Sequence, residues 1–326
     1  MATSGVSRAL LVAWALLAGP ALLLIWLIQP LVAPLPAIVV PPVDVAALKR
    51  HVEALSQTFH PRSFEHHAKL AAAGDYVRQQ LARSGGNVTV QSYRVDGRDY
   101  SNYSVRFGPA AGPRLVIGAH YDSFEDTPGA DDNASGVAGL IELARLLGVN
   151  PPAQPVELLA YTLEEPPFFR TEHMGSARHV ALLKQSGSPV RLMVALEMIG
   201  YFSDAPGSQG YPVPGLGWIY PSAGNFIAVV GAFDDPLSTR YVKAALRSGS
   251  SLPVHSINAP AMLQGVDFSD HLNYWAAGYP AVMVTNTSFM RNHNYHTAND
   301  TAPTLDFRRM AEVVRGMYAL AQAAGP

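Results

Sequence analysis

Short apolar stretches with the length of strands alternate in this chain with stretches of helical spacing. Strands that alternate with helices indicate an α/β sheet with helices on both faces, so this alternation limits the fold to the α/β class. No internal repeat and no second linker interrupts residues 43–326. We therefore predict one α/β domain there, with a mostly parallel, mixed and twisted sheet between helices. Strands are predicted at Leu115–Ile117, Val156–Thr162, Arg191–Leu196 and Ala281–Thr285, and helices from the Asp132–Ser135 region onward and over Phe307–Ala323.

Each predicted strand leads into a potential metal ligand or acid–base group. In open α/β sheets, sites form in the crevice at the carboxyl ends of the strands. We therefore expect these side chains to meet at one edge of the sheet, although they are far apart in the sequence. The residues are His120, Glu164, Glu165, Glu197 and His296.

These residue types favour a zinc site. The chain has no cysteine, so any metal must be held by histidine and carboxylate groups, which suit Zn²⁺ or a similar ion. Two such ions, about 3.5–4 Å apart, can share a carboxylate and a water molecule, and they lower the pKa of that water to about 7. Glu164 and Glu165 leave the strand in different directions, so one can be a general base and the other a ligand.

Four motifs, in order along the chain, resemble the co-catalytic di-zinc aminopeptidases. That family includes bacterial secreted leucyl-type aminopeptidases and is related to glutamate carboxypeptidase and glutaminyl cyclase. The resemblance runs from about Arg62 to the C-terminus, and it implies an enzyme that hydrolyses N-terminal residues from peptides by means of a metal-bridging hydroxide. It also implies two Zn²⁺ per chain, which Co²⁺ or Mn²⁺ can replace. The motifs are His120-Tyr121-Asp122, Asp131-Asp132-Asn133-Ala134-Ser135-Gly136, Glu164-Glu165 and Tyr295-His296-Thr297.

The resemblance further implies which residues bind the metal ions. His120 and Glu197 would bind the first zinc, and Glu165 and His296 would bind the second. Asp131 would bridge the two ions. At position 197 the family typically has Asp, and the added methylene of Glu could shift the ion or change how the substrate amine is received.

The catalytic roles also follow from the resemblance. Glu164 would be the general base, and Asp122 would orient the imidazole of His120. Tyr295 would stabilise the tetrahedral intermediate. Asp270, in Ser269-Asp270-His271, matches a structural motif of the family. After Glu164-Glu165, residues 166–176 are longer and more aromatic than is usual in the family, which bears on substrate specificity.

Two assignments have a competitor nearby. Asp132 next to Asp131 has the residue type of a helix N-cap, and if Asp132 caps the helix then Asp131 is free to bridge. His293 lies in the same predicted loop as His296, and either imidazole could reach an ion. The match to Tyr-His-Thr favours His296.

Other functions on the same fold remain as alternatives. A glutaminyl cyclase-type acyltransferase would need only one zinc, whereas all five ligand positions are retained here. A carboxypeptidase for acidic C-termini would need an Arg cluster, but only Arg170 and Arg291 lie near the motifs. A non-catalytic receptor or scaffold would have lost the base or a ligand. Nucleic acid is not an expected partner, since the formal net charge is -2 and no basic run is present. The oligomeric state and the preferred N-terminal residue are not predicted.

The N-terminal region predicts a membrane anchor. Ala9–Ile28 is apolar and uncharged, and a membrane helix needs about 20 such residues. Arg8 precedes this stretch and no Lys or Arg follows before Lys49, so residues 1–8 are expected in the cytoplasm and the catalytic domain outside it, in the periplasm or the extracellular space. The proline-rich residues 29–42 would form a stiff spacer. The alternative is a cleaved signal peptide and a secreted domain.

Overall fold

The computed structural model describes residue 14 and residues 18–325. Residues 9–13 and 15–17 of the predicted anchor, Ala9–Ile28, lie outside these residues. Of this stretch, residues 18–28 are described as helical (α1). Among the described residues, no helix combines the length and the apolar character that crossing a membrane requires.

The described residues form one eight-stranded mixed sheet, in the order β1-β2-β4-β3-β5-β8-β6-β7. Its centre is parallel, since β3 pairs in parallel with both β4 and β5, and β5 pairs in parallel with β8. Antiparallel pairing joins β2 to β4 and β6 to β8. The strands are β1 (Asn87–Val95), β2 (Arg98–Phe107), β3 (Arg114–His120), β4 (Val156–Tyr161), β5 (Val190–Glu197), β6 (Ile227–Ala232), β7 (Val254–Ala259) and β8 (Ala281–Thr285).

Helices flank the sheet, as the α/β prediction requires. Helix α4 is buried along most of its length because apolar residues cover nearly its whole surface, and it packs on β3 and on α8. The helices after α1 are α2 (Val45–Glu53), α3 (His67–Ala82), α4 (Gly136–Val149), α5 (Gly175–Ser186), α6 (Pro236–Gly249), α7 (His271–Ala276) and α8 (Phe307–Gln322).

The predicted fold class is confirmed. The four predicted strands correspond to β3, β4, β5 and β8, and the predicted closing helix is α8. These four strands are neighbours in the sheet and run parallel, so their carboxyl ends lie at one edge. Strands β1, β2, β6 and β7, which flank this central group, were not predicted from the sequence.

The beginning of the predicted spacer is bonded to the domain. Gln29 is buried, and its side-chain amide donates to Asn258 Oδ1 at 2.6 Å. Lys243 Nζ in α6 donates to the carbonyl oxygens of Ile28 and Gln29 at 3.2 and 2.9 Å. The backbone N–H of Leu35 donates to Ala244 O. Residues 29–35 therefore follow the surface of α6 instead of standing free of the domain.

Candidate metal centre

Six side chains meet at the carboxyl edge of the four central strands, and we call them the metal-site cluster. Strand β3 ends at one of them and β5 at another, while two glutamates follow β4 and one histidine lies in the loop after β8. All except the loop histidine are more than nine-tenths buried. The cluster consists of His120, Asp132, Glu164, Glu165, Glu197 and His296.

Asp132 lies between the two histidines. Its Oδ1 is 3.3 Å from His120 Nε2, and its Oδ2 is 3.1 Å from His296 Nε2. On the His120 side, Glu197 Oε2 is 3.5 Å and Glu164 Oε2 is 3.8 Å from Nε2. On the other side, Glu165 Oε2 is 3.3 Å from His296 Nε2. The cluster is thus two half-sites that share one carboxylate.

The chemistry of the donor atoms fits a metal ion. Nε2 of His120, Nε2 of His296 and Oε1 of Glu165 have no hydrogen-bond partner among the described residues. Buried polar atoms are nearly always paired, so these atoms point to a partner from outside the protein. Three overlapping groups within the cluster place potential ligand atoms within 4.8 Å of one another. Two imidazoles with carboxylates and no thiolate suit Zn²⁺.

The electrostatics of the cluster also favour a bound metal ion. Burial and the charge of Asp132 raise the pKa of Glu165 to about 7, and burial together with Glu165 and Glu197 raises the pKa of Glu164 well above its usual range. Burial opposes protonation of His296, yet the carboxylates of Asp132 and Glu165, at 3.1 and 3.3 Å from its Nε2, raise its pKa to about 10. Four buried carboxylates repel one another, and a divalent cation would relieve that repulsion.

The expectation that Asp131 bridges the ions needs correction, because Asp132, and not Asp131, lies between the two histidines. Asp131 Oδ1 accepts from the backbone N–H groups of Gly200 and Tyr201, at 2.9 and 3.2 Å. Its Oδ2 accepts from the side-chain amides of Asn286 and Asn292, at 2.7 and 2.9 Å. With four donors on its two oxygens, Asp131 has no lone pair directed at the cluster.

The alternative that Asp132 caps α4 does not match the contacts at the start of that helix. The side-chain acceptor at the start of α4 is Asn133, whose Oδ1 accepts from Gly136 N at 3.1 Å. The same oxygen accepts from Met198 N, just after β5, at 3.1 Å. Asn133 therefore joins the beginning of the helix to the end of the strand that carries Glu197.

Asp122 lies on the Nδ1 side of His120. Its Oδ1 is 3.6 Å from His120 Nδ1, and its Oδ2 accepts from the backbone N–H of Glu165 at 3.0 Å. One carboxylate thus contacts the imidazole of one cluster member and fixes the backbone of another. An acid that is hydrogen-bonded to a metal-binding imidazole orients it and increases its basicity, which is the role that the resemblance implies for Asp122.

The ring of His296 is held by two aromatic rings. Tyr295 stacks on it with ring centroids 3.7 Å apart and an interplanar angle of 17°, and Phe124 stacks on it at 4.0 Å and 2°. Both rings are nearly parallel to the imidazole and equally close, so they lie on its opposite faces. His293, the competing histidine, is exposed and lies outside the cluster.

Sequence reasoning missed several residues that support the cluster. Ser269 Oγ donates to Glu197 Oε2 at 2.8 Å. Arg62 is fully buried, and it donates to the carbonyl oxygens of Tyr121 and Gly129 at 2.8 and 2.6 Å, which holds the loop between His120 and Asp132. Ser269 stands in a motif that could have suggested this role, whereas no local signal marks Arg62.

The two arginines near the motifs are occupied elsewhere. Arg170 pairs with Asp267 at 2.7 Å. Arg291 is buried, and it donates to Gln209 Oε1 at 2.8 Å and to the carbonyl oxygen of Phe226 at 2.7 Å. Neither guanidinium belongs to the metal-site cluster.

An apolar cavity of about 100 Å³ lies beside Glu197. Aromatic and aliphatic side chains form most of its lining, and Glu197 is the acid among the described residues that line it. Phe289, on its wall, also packs against Tyr295 with ring centroids 5.6 Å apart. The cavity, which we call the apolar pocket, thus adjoins the metal-site cluster at Glu197, and its wall residue Phe289 contacts the tyrosine that stacks on His296.

The family model and the relatives that match this chain point to one protein family. Residues 102–321 match the family model described as peptidase family M28. An uncharacterised protein of Escherichia coli K12, YfbL, is 51% identical over 281 residues, which are 84% of this chain and 86% of that protein. Leucine aminopeptidase 1 of Uncinocarpus reesii is 25% identical over 284 residues, which cover 81% of this chain and 66% of that protein.

Solved structures share the fold. The structure of LapB from Legionella pneumophila matches with a TM-score of 0.69 and 22% identity, and the match covers 85% of this chain and 71% of that one. Glutaminyl cyclase from Bacteroides thetaiotaomicron, solved with N-acetylhistamine bound, matches with a TM-score of 0.66 and 18% identity, over 88% of this chain and all of that one.

Proposed function

The chain belongs to peptidase family M28, and we propose that it is a zinc-dependent aminopeptidase that removes N-terminal residues from peptides. One observation carries the proposal: a buried cluster of two histidines and four carboxylates whose unpaired atoms suit metal ions. The likeness to leucine aminopeptidase 1 of Uncinocarpus reesii supports the same activity.

The cluster divides into two ligand sets. His120 and Glu197 would hold one zinc, Glu165 and His296 would hold the second, and Asp132 would contribute one oxygen to each. Zinc bound in these sets would polarise the scissile carbonyl and lower the pKa of a water molecule. The carboxylate of Asp122 and the two rings stacked on His296 would keep the imidazoles in place.

Glu164 is the cluster member best placed to move a proton. It is buried, and its nearest approach to a cluster histidine is 3.8 Å, whereas Glu165 and Glu197 lie closer to theirs. A carboxylate beside the ligands can take the proton of the attacking water and deliver it to the departing amine. Glu164 would therefore be the general base, and its neighbour Glu165 a ligand.

The surroundings favour an N-terminal residue as the group that is bound. The apolar pocket suits an uncharged side chain, and the nearby acids suit an ammonium group. A carboxypeptidase would need a free cation for the C-terminal carboxylate, but Arg170 is paired with an acid and Arg291 is buried and bonded. The second candidate is a glutaminyl cyclase, because enzymes with that activity share the fold.

The test uses the full-length chain loaded with zinc. A panel of aminoacyl p-nitroanilides is assayed with and without a chelator, for the wild type, for Glu164→Gln and for the matched control Glu172→Gln, an exposed glutamate. We expect chelator-sensitive release by the wild type and by the control. Glu164→Gln should lose roughly 10²–10⁴-fold in turnover with its metal content unchanged.

Two results would contradict the proposal. Near-normal turnover by Glu164→Gln would remove the proposed base. If the zinc-loaded wild type releases nothing from any free-amine substrate, the aminopeptidase function is wrong, and cyclisation of peptides with N-terminal Gln becomes the next assay.

A further inference from the structure

The apolar pocket is built on a row of paired residues that crosses the sheet. Glu197 pairs with Thr285 across β5 and β8, Thr285 pairs with Ala228 across β8 and β6, and Ala228 pairs with His255 across β6 and β7. Residues directly opposite on paired strands share a face of the sheet. Since strands lie about 4.8 Å apart, the row runs roughly 14 Å from the metal-site cluster to His255.

The middle of this row leaves open space. Thr285 and Ala228 carry short side chains, and both line the pocket. The next row on the same face, formed by Met283, Val230 and Ile257, also lines it. The floor therefore has a depression over Ala228, with larger side chains around it.

His255 and Tyr220 close the far end of the row. The imidazole of His255 stands edge-on to Phe226, with ring centroids 4.8 Å apart at 81°, and to Tyr220 at 5.9 Å and 90°. Tyr220 is fixed in turn, because its hydroxyl donates to the carbonyl oxygen of Ser256 at 2.6 Å. Burial lowers the pKa of His255 to about 4, so this end of the pocket is uncharged at neutral pH.

A second cavity lies behind the same two residues. Its volume is about 590 Å³, and Tyr220 and His255 line it as well as the apolar pocket. Its charged lining residues, among those described, are Lys243 and Arg247. The two side chains are therefore a partition between an apolar pocket and a cavity that carries cations.

From this geometry we propose that His255 and Tyr220 form the end wall of the apolar pocket and set the longest N-terminal side chain that the enzyme accepts. The inference rests on the proposed aminopeptidase function and deepens it. The preferred substrates are peptides whose N-terminal residue is aliphatic or aromatic and fits between Glu197 and this wall. Ala228 leaves the space that such a side chain fills.

Two substitutions should change the longest accepted N-terminal side chain in opposite directions. His255→Ala removes part of the wall and joins the pocket to the second cavity, while Ala228→Leu fills the depression. The measurement is kcat/KM for alanine, leucine and homophenylalanine p-nitroanilides with the zinc-loaded full chain. The matched control is Val254→Ala, a neighbour on β7 that lines only the second cavity.

We expect His255→Ala to raise the homophenylalanine-to-leucine ratio of kcat/KM by about tenfold or more, and Ala228→Leu to lower the leucine-to-alanine ratio by about as much. The control should keep both wild-type ratios. If His255→Ala does not fold, Tyr220→Ala tests the same wall.

If the wild type is active and both folded variants, His255→Ala and Ala228→Leu, keep the wild-type ratios of kcat/KM, the end-wall proposal is wrong. The aminopeptidase function would not be affected by that result. An inactive wild type would overturn both. A general loss of rate with constant ratios counts against the wall, since a specificity residue must change the ratio.

Discussion

Two buried acidic regions lie side by side in this protein, and they differ in how their polar atoms are paired. Around Asp131, four donors saturate one carboxylate, and Asp300 accepts from the backbone N–H groups of Asp131 and Asp132 at 2.9 and 3.0 Å. In the metal-site cluster, ring nitrogens of His120 and His296 and an oxygen of Glu165 have no partner among the described residues.

This difference in pairing suggests a structural role for the region around Asp131 and a metal-binding role for the metal-site cluster. Burial of a charged group is costly in both regions, so burial alone does not mark a site. Donors of the protein itself offset that cost at Asp131, whereas the metal-site cluster would need a ligand from outside to do so. Unpaired atoms therefore distinguish the proposed metal site from the region around Asp131, although Asp131 and Asp132 are neighbours of the same residue type.

The largest expected effect comes from Asp132→Asn. Asn cannot supply a charged oxygen to each half of the cluster, so we expect loss of bound zinc and a fall in turnover of about 10³-fold or more, on the order of 4 kcal/mol. Metal analysis and aminoacyl p-nitroanilide assays measure both. The matched control is Asp126→Asn, an exposed aspartate in the same loop, which should behave as wild type. Wild-type zinc content in Asp132→Asn would contradict the shared-ligand assignment.

Removal of the metal should affect stability as well. A ligand that binds only the folded state at 1,000 times its Kd stabilises that state by about 4 kcal/mol. We therefore expect a chelator to lower the Tm of the zinc-loaded wild type by several degrees, and to leave the Tm of Asp132→Asn unchanged. An unmoved wild-type Tm would mean that the metal-site cluster is stable without metal, like the Asp131 region.

Asp131→Asn should show the opposite pattern. Its side chain would present an amide to groups that are themselves donors, and a buried donor without a partner costs about 1–3 kcal/mol. We expect Asp131→Asn to have a lower free energy of unfolding in urea than the wild type, and the decrease should be the same when a chelator is present. The number of zinc ions bound per chain should not change. Loss of zinc without loss of stability would instead assign Asp131 to the metal.

The smallest expected effect concerns His179, a buried histidine outside the metal-site cluster. Burial lowers its pKa to about 4 from 6.5. Between these values the unfolded chain binds the proton and the folded chain does not, so stability falls as the pH falls, by at most about 1.4 kcal/mol per pH unit.

His179→Gln should remove this contribution, so the stability difference from wild type should shrink or reverse between pH 7 and pH 5. Urea unfolding at the two pH values measures it, and His293→Gln, at an exposed position, is the control. A difference that stays constant with pH would mean that folding does not shift the pKa of His179.

Much of the central fold could be predicted because its signals are local. The apolar stretches of β3, β4, β5 and β8 are short and buried, and each has a polar residue at its exit. Strand β1 was missed because most of its residues are exposed or half-buried, and β2 because polar residues interrupt its apolar pattern. Strands β6 and β7 were missed because their place at the end of the sheet depends on pairing with β8 and with each other.

The sequence by itself determined the fold class, the family and five of the six members of the metal-site cluster, since residue type and order along the chain carry that information. Only the tertiary structure decided between Asp131 and Asp132. The choice depends on which carboxylate meets the amides of Asn286 and Asn292 and which meets the two histidines. Asn286, Asn292 and His296 lie far away in the sequence. The end wall at His255 has the same origin, because the row that leads to it exists only when four separate strands are paired.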